Sequence, residues 1–141
     1  MSDPATVLLI DDDPSHLKLY SWIVARGGFR AITALVSGSN VELPRTEPVE
    51  LTVLDYQIGS QLKSVQVAEL LKDVFPSKPL LVLSDMQWLP DDIAPYATAF
   101  VRKGEPEQLL MKIQTLISGG RDNSRNAPPP ENAGGLDNLS V

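Results

Sequence analysis

The sequence predicts an α/β protein: a doubly wound, five-stranded parallel sheet with helices on both faces. Two observations carry this reading. Short apolar runs without polar alternation recur along the chain, as expected of strands buried on both faces. Between them lie segments whose apolar residues repeat with helical spacing, and parallel neighbours need such crossovers.

In chain order, the first strand is Thr6 to Ile10, which runs into Asp11, Asp12 and Asp13. The first helix follows: Asp13 suits an N-cap, Pro14 suits the first helical position, Leu17, Tyr20 and Val24 form one stripe, and Gly27-Gly28 stops it. A less apolar run near Phe29 to Val36 is the second strand, and Leu51 to Leu54 before Asp55 the third. Val67, Leu70, Leu71 and Val74 keep the i, i+3, i+4, i+7 spacing of an amphipathic helix. Pro79 to Leu83 before Ser84 is the fourth strand, and Ala99 to Val101 before Arg102 the fifth. Leu109, Ile113, Leu116 and Ile117 give a last helix after Pro106. Two crossovers are weak in pattern. Residues 39–48 hold two prolines and residues 87–98 hold Pro90 and Pro95, so the second and fourth helices are expected to be short or distorted.

The chain of 141 residues suits one domain, expected over residues 1–118. Residues 119–141, with Pro128-Pro129-Pro130 and Gly134-Gly135 among polar residues, are expected to be a flexible tail. Cysteine is absent, which excludes a disulfide framework, a thiolate zinc site and a thiol nucleophile. The single histidine, His16, cannot make a multi-histidine metal site and is expected to face solvent without a partner. With 12 basic and 18 acidic residues, net charge −6, the chain disfavours direct nucleic-acid binding, which depends on neutralising phosphates. No apolar run approaches the ~20 residues that span a bilayer, so membrane insertion is not expected and the cytoplasm is the expected compartment.

In open α/β sheets, sites lie beyond the carboxyl ends of the strands. There the sequence places Asp11, Asp12 and Asp13 after the first strand, Asp55 after the third, Ser84 and Asp85 after the fourth, and Arg102 and Lys103 after the fifth. Asp13 is absorbed by its capping role. Asp11, Asp12 and Asp55, if they converge, need a compensating cation, and Mg²⁺ takes such oxygen ligands. A carboxylate of that set can act as nucleophile toward a phosphoryl group, with the metal and Lys103 offsetting charge on its oxygens and Ser84 donating to one of them.

From about Val7 to Ile117, this pattern resembles the receiver domain of two-component response regulators, the CheY-like family. The matching residues are the acidic pair Asp11-Asp12, Asp55 after the third strand, Ser84 after the fourth and Lys103 after the fifth. The resemblance implies that Asp55 accepts a phosphoryl group from a histidine kinase or phosphotransfer protein. It implies Mg²⁺ held by Asp12, Asp55, the Gln57 backbone carbonyl and waters, with Asp11 acting mainly through bound water. Ser84 and Lys103 would contact the phosphate, Phe100 would be the aromatic switch, and Gln57 and Met86 would flank the site and tune the signal's lifetime. Such a chain is a phospho-acceptor that loses its phosphoryl group to water rather than an enzyme, and its output passes through a partner protein.

The sequence departs from the family at three places. Lys103 is followed by Gly104 where proline is usual, and the loop after Asp55 lacks its usual proline. Asp85 stands where a small residue is usual; its carboxylate is expected either to repel a phosphoryl group or to turn outward. An interaction module that works without phosphorylation therefore stays open beside the phosphorylated reading. A haloacid-dehalogenase type of phosphatase is excluded because no acid pair on a later strand follows Lys103. A flavodoxin type is excluded because three aspartates would repel a flavin phosphate.

Overall fold

The computed structural model describes residues 3–119. Strands β1 (Thr6–Asp11), β2 (Arg30–Leu35), β3 (Val49–Asp55), β4 (Leu80–Ser84) and β5 (Ala99–Arg102) form one parallel sheet in the order β2-β1-β3-β4-β5. Helices α1 (Pro14–Arg26), α2 (Ser64–Val74) and α3 (Pro106–Ile117) complete the regular elements. The expected sheet is present. The expected tail falls on residues of which all but Gly119 lie outside those described.

Alternate residues of the central strands feed two separate cores. Val7, Leu9, Leu51, Val53, Leu81, Leu83 and Val101 pack with Leu17 and Val24 of α1 and Leu109, Ile113 and Leu116 of α3. Leu8, Ile10, Leu54 and Val82 face the other way, onto Val67, Ala68 and Leu71 of α2. Burial on both faces is why β1, β3 and β4 read as unbroken apolar runs. Strand β2 lies at an edge and is mostly accessible, which explains its weaker signal.

Local chemistry sets the helix limits. The Asp13 carboxylate accepts from the Ser15 N–H at 2.8 Å, and Pro14 occupies the first turn of α1, where its missing N–H costs nothing. At α2, Gln66 reaches back to accept from the Lys63 N–H at 2.8 Å.

The second and fourth crossovers depart further from regularity than the sequence suggests: neither contains an α-helix among the described residues. After β2 the chain makes a small bridge between Ser37 and Asn40, and Val41 and Leu43 then pack against the α2-side core without regular secondary structure. Pro44 and Pro48 interrupt this stretch, so a helix there would lose internal hydrogen bonds. Between β4 and β5, turn bonds run from the Ile93 and Ala94 N–H groups to the Pro90 carbonyl and from Tyr96 to Ile93. Pro95 blocks their propagation into a helix. The segment is nonetheless anchored: Ile93 and Ala97 are buried, the Tyr56 hydroxyl donates to Asp92 at 2.9 Å, and the Tyr96 hydroxyl donates to Glu69 of α2 at 3.1 Å. Tyr96 also packs against the α2-side core. Among the described residues no helix is long and apolar enough to cross a membrane.

If these turns replace a helix as a packed layer, Ile93→Ala should lower stability by about 2–4 kcal/mol, the cost of emptying a buried aliphatic site. Urea unfolding measures this, and a loss below about 1 kcal/mol would mean that the segment contributes little packing.

Candidate functional site

The sheet order places α1 on one face after β1 and α2 on the other after β3, so the chain diverges between two adjacent strands. A crevice opens at such a switch point. The register Ile10↔Leu54 brings Asp11 and Asp55 level at its floor. On the next strands Asp55 pairs with Leu83 and Ser84 with Arg102, and the Lys103 N–H donates to the Ser84 carbonyl at 2.9 Å. Four strand ends thus converge.

Asp11, Asp55 and Ser84 are all buried, at 2%, 3% and 0% exposure. The Lys103 ammonium donates to Asp55 Oδ1 at 2.7 Å, and the Gln57 N–H donates to the same oxygen at 3.1 Å. Asp11 Oδ1 accepts from the Asp12 and Asp13 N–H groups at 2.7 and 3.1 Å. Burial, followed by the neighbouring charge of Asp55, pushes the Asp11 carboxyl up to about 7. Burial pushes Lys103 down, but its hydrogen bond to Asp55 and the charges of Asp55, Asp85 and Asp11 outweigh this and hold it above the usual lysine range. One lysine therefore faces an excess of negative charge.

Asp12 lies nearer the rim. Its Oδ2 accepts from the Gly59 N–H at 2.8 Å and from the Ser60 hydroxyl at 3.4 Å, tying the end of β1 to the loop after β3. Ser84 Oγ accepts from Gln57 Nε2 and from the Met86 N–H, each at 3.0 Å, while Gln57 Oε1 accepts from the Asp85 N–H at 3.3 Å. Gln57 thus clamps the residues that follow β4. The Met86 side chain is exposed. Asp85 is also exposed, although its charge reaches Lys103. Phe100 is half-buried, and its pairing with Val82 puts it on the α2 side of β5. Gly104 has φ +84°, a conformation that a proline ring cannot adopt, and the described peptide bonds are all trans.

His16 faces solvent as expected, at 46% side-chain exposure, but it is not without a partner: its Nδ1 lies 3.2 Å from Asp11 Oδ2 and its Nε2 3.5 Å from Asp13 Oδ2. The first turn of α1 folds it back over the end of β1, a juxtaposition across a strand-to-helix junction that no helical or strand period reveals. The helical spacing of Leu17, Tyr20 and Val24 places Tyr20 in the apolar stripe of α1 and gives no sign of a second role. It lines an apolar cavity of about 230 Å³ with Leu83, Lys103 and Leu109. Burial raises its hydroxyl, Lys103 opposes the rise, and Asp55, Asp11 and Asp85 add to it.

No family model matches the sequence. The chain is 29% identical over 91 residues to the transcriptional regulatory protein GlrR of Escherichia coli K12, covering 64% of this chain and 20% of that protein. It is 25% identical over 125 residues to the heme response regulator HssR of Staphylococcus saprophyticus, covering 86% of this chain and 55% of that one. The chain thus spans only part of the length of either. Among solved structures, the CheY-like receiver domain protein of Methanospirillum hungatei JF-1 superposes with a TM-score of 0.68 at 17% identity, over 82% of this chain and 95% of that one. The response regulator TrrA of Thermotoga maritima, in complex with Mg²⁺-BeF, superposes with a TM-score of 0.67 at 18% identity, over 79% and 98%. The fold is that of CheY-like response regulator receiver domains, and the sequence likeness to response regulators agrees with it.

The raised Asp11 carboxyl has a consequence for the metal-free protein. Between about pH 4 and 7 the folded chain keeps a proton that the unfolded chain has released, so Asp11 makes stability fall as pH rises through that interval. Asp11→Asn should flatten this decline and raise the midpoint of thermal unfolding at pH 8 by about 4 °C, with no gain at pH 3.5. Melts in chelator at both pH values check it, and an equal effect at both would assign the change to something other than charge.

Proposed function

We propose that this chain is a receiver domain of a two-component system in which Asp55 accepts a phosphoryl group and thereby changes binding to a partner protein. The observation that carries this reading is the 2.7 Å ion pair between Lys103 and Asp55, in a buried pocket that also holds Asp11 and Ser84. Those residues come from four strand ends in the order that the sequence resemblance requires. Fold alone would not argue for function, because folds host many activities.

The proposed donor is the phosphohistidine of a histidine kinase or phosphotransfer protein. An Asp55 carboxylate oxygen attacks the phosphorus, the phosphorus–nitrogen bond breaks, and its electron pair returns to the imidazole, which then takes a proton from solvent. Lys103 holds the Asp55 carboxylate in place and offsets negative charge on the transferring oxygens. Ser84 Oγ accepts from Gln57 and from the Met86 N–H, and its hydroxyl hydrogen would be donated to one of those oxygens; as Ser84 moves toward them, the space it vacates would admit Phe100. Hydrolysis of the acyl phosphate resets the site, so this is a signalling domain rather than an enzyme turning over an external substrate.

The donor set suits Mg²⁺. Two buried carboxylates, one of them held partly protonated at neutral pH by burial and its neighbour, face a single lysine, and an oxygen-binding dication relieves that imbalance. Asp12, Asp55 and the Gln57 carbonyl would hold it, with Asp11 acting through bound water; when bound it supplies charge compensation for the phosphoryl oxygens. The acidic surface does not favour nucleic acid, and the proposed setting is the cytoplasm.

Intact mass after incubation with acetyl phosphate and Mg²⁺ tests the proposal: one phosphoryl adduct is expected, absent in Asp55→Asn and absent with chelator. No adduct together with no Mg²⁺ binding would favour the constitutive interaction module instead. Asp85 turns outward yet adds negative charge beside Lys103, so Asp85→Ala should raise the phosphorylated fraction or lifetime by about twofold, the modest effect of an exposed charge. Unchanged kinetics would show that Asp85 does not act on the phosphoryl group.

A further inference from the structure

His16 gives the carboxylate pocket a nitrogen donor. One ligand atom each from Asp11, His16 and Asp55 lie within 4.8 Å of one another, close enough to share a single ion. Asp11 and Asp55 are buried rather than solvated, so their proximity is held by the fold. His16 has one edge on Asp11 and the other 3.5 Å from the Asp13 carboxylate. Ligating histidines commonly have this arrangement, with the distal nitrogen oriented by a carboxylate. Its partial exposure also leaves the imidazole reachable from solvent.

We propose that Asp11, Asp55 and His16 form a mixed oxygen–nitrogen site that takes a borderline transition-metal dication, of the Co²⁺, Ni²⁺ or Zn²⁺ class, in preference to Mg²⁺. The preference follows from donor chemistry. Mg²⁺ is a hard ion that favours oxygen and keeps its waters, whereas imidazole binds the later first-row dications well. This site overlaps the one proposed for Mg²⁺ but does not depend on phosphorylation. A dication on Asp55 would draw that carboxylate away from Lys103, so the two metal classes would have different effects on the acceptor.

His16 is the only histidine of the chain, so its ring signals in an untagged protein are unambiguous. The experiment is titration of metal-free protein with Co²⁺ and separately with Mg²⁺, followed by calorimetry, by the visible absorption of Co²⁺ and by the ¹H–¹⁵N spectrum of the imidazole. The wild-type chain is expected to bind Co²⁺ more tightly than Mg²⁺, with hyperfine-shifted imidazole resonances. In His16→Ala and His16→Gln, the ratio of Co²⁺ to Mg²⁺ affinity should fall at least about tenfold, the lower end of what losing even a partner outside the coordination sphere costs. Using two variants at a half-exposed position separates loss of the donor from loss of fold. An unchanged ratio, or imidazole signals unmoved by saturating Co²⁺, would overturn the proposal and leave the Mg²⁺ reading intact. Failure of both metals to bind would overturn both, and Co²⁺ binding through His16 without Mg²⁺ binding would support this site while removing the other.

Discussion

Two buried carboxylates held level at the ends of adjacent strands are the constraint around which the site is organised. Asp11 and Asp55 stand side by side because each follows directly on the last β1–β3 pair, Ile10 with Leu54; among the described residues Lys103 lies within ion-pair distance of Asp55, and His16, a cation only when protonated, within that distance of Asp11. Such a pair destabilises the pocket unless cations or protons offset it. The fold supplies part of the answer through backbone N–H groups: Asp12 and Asp13 donate to Asp11, and Gln57 donates to Asp55. The rest is left to an ion, a proton or a change in Asp55 itself. An imbalance of this kind suits a switch, since it makes the pocket's neighbours sensitive to what binds there.

The connections out of this pocket are specific. Asp12 spans from β1 to the loop after β3, Gln57 spans from that loop to Ser84 and Asp85, and Tyr56 spans on to Asp92 in the turns before β5. Tyr96 then joins the same turns to Glu69 of α2. A change at Asp55 or Ser84 therefore borders an irregular, hydrogen-bonded segment rather than a rigid helix. Turns lacking continuous helical bonds have less cooperative backbone structure, and this segment is a natural place for a local rearrangement to reach the surface.

Much of this was legible in the sequence because the central strands are buried on both faces and stop where the site begins. Asp55 after Leu51 to Leu54, and Ser84 after Leu80 to Leu83, mark the end of apolar runs as sharply as they mark the crevice. The prolines at 44, 48, 90 and 95 announced weak crossovers, but not that buried Ile93 and Ala97 would serve as a packed layer without a helix. Contacts between segments distant in sequence, such as Asp12 with Gly59, have no periodic signal. A single imidazole without a second histidine in the chain gives no sequence signal of a partner, so the contact of His16 with Asp11 is not legible from the sequence. The approach of His16 to Asp11 follows from the short strand-to-helix junction, where the chain bends at Asp12 and enters α1 at Pro14.

The central claim is that the metal-free pocket carries negative charge that a dication relieves. Its most direct test is the thermal midpoint of the wild-type chain against Mg²⁺ concentration at pH 8, beside Asp55→Asn at matched ionic strength. Ligand binding to the folded state alone raises the midpoint by mass action, so the account requires a saturable rise in the wild type that is much reduced in the variant. A wild-type midpoint that does not move with Mg²⁺, or moves equally in Asp55→Asn, would contradict it.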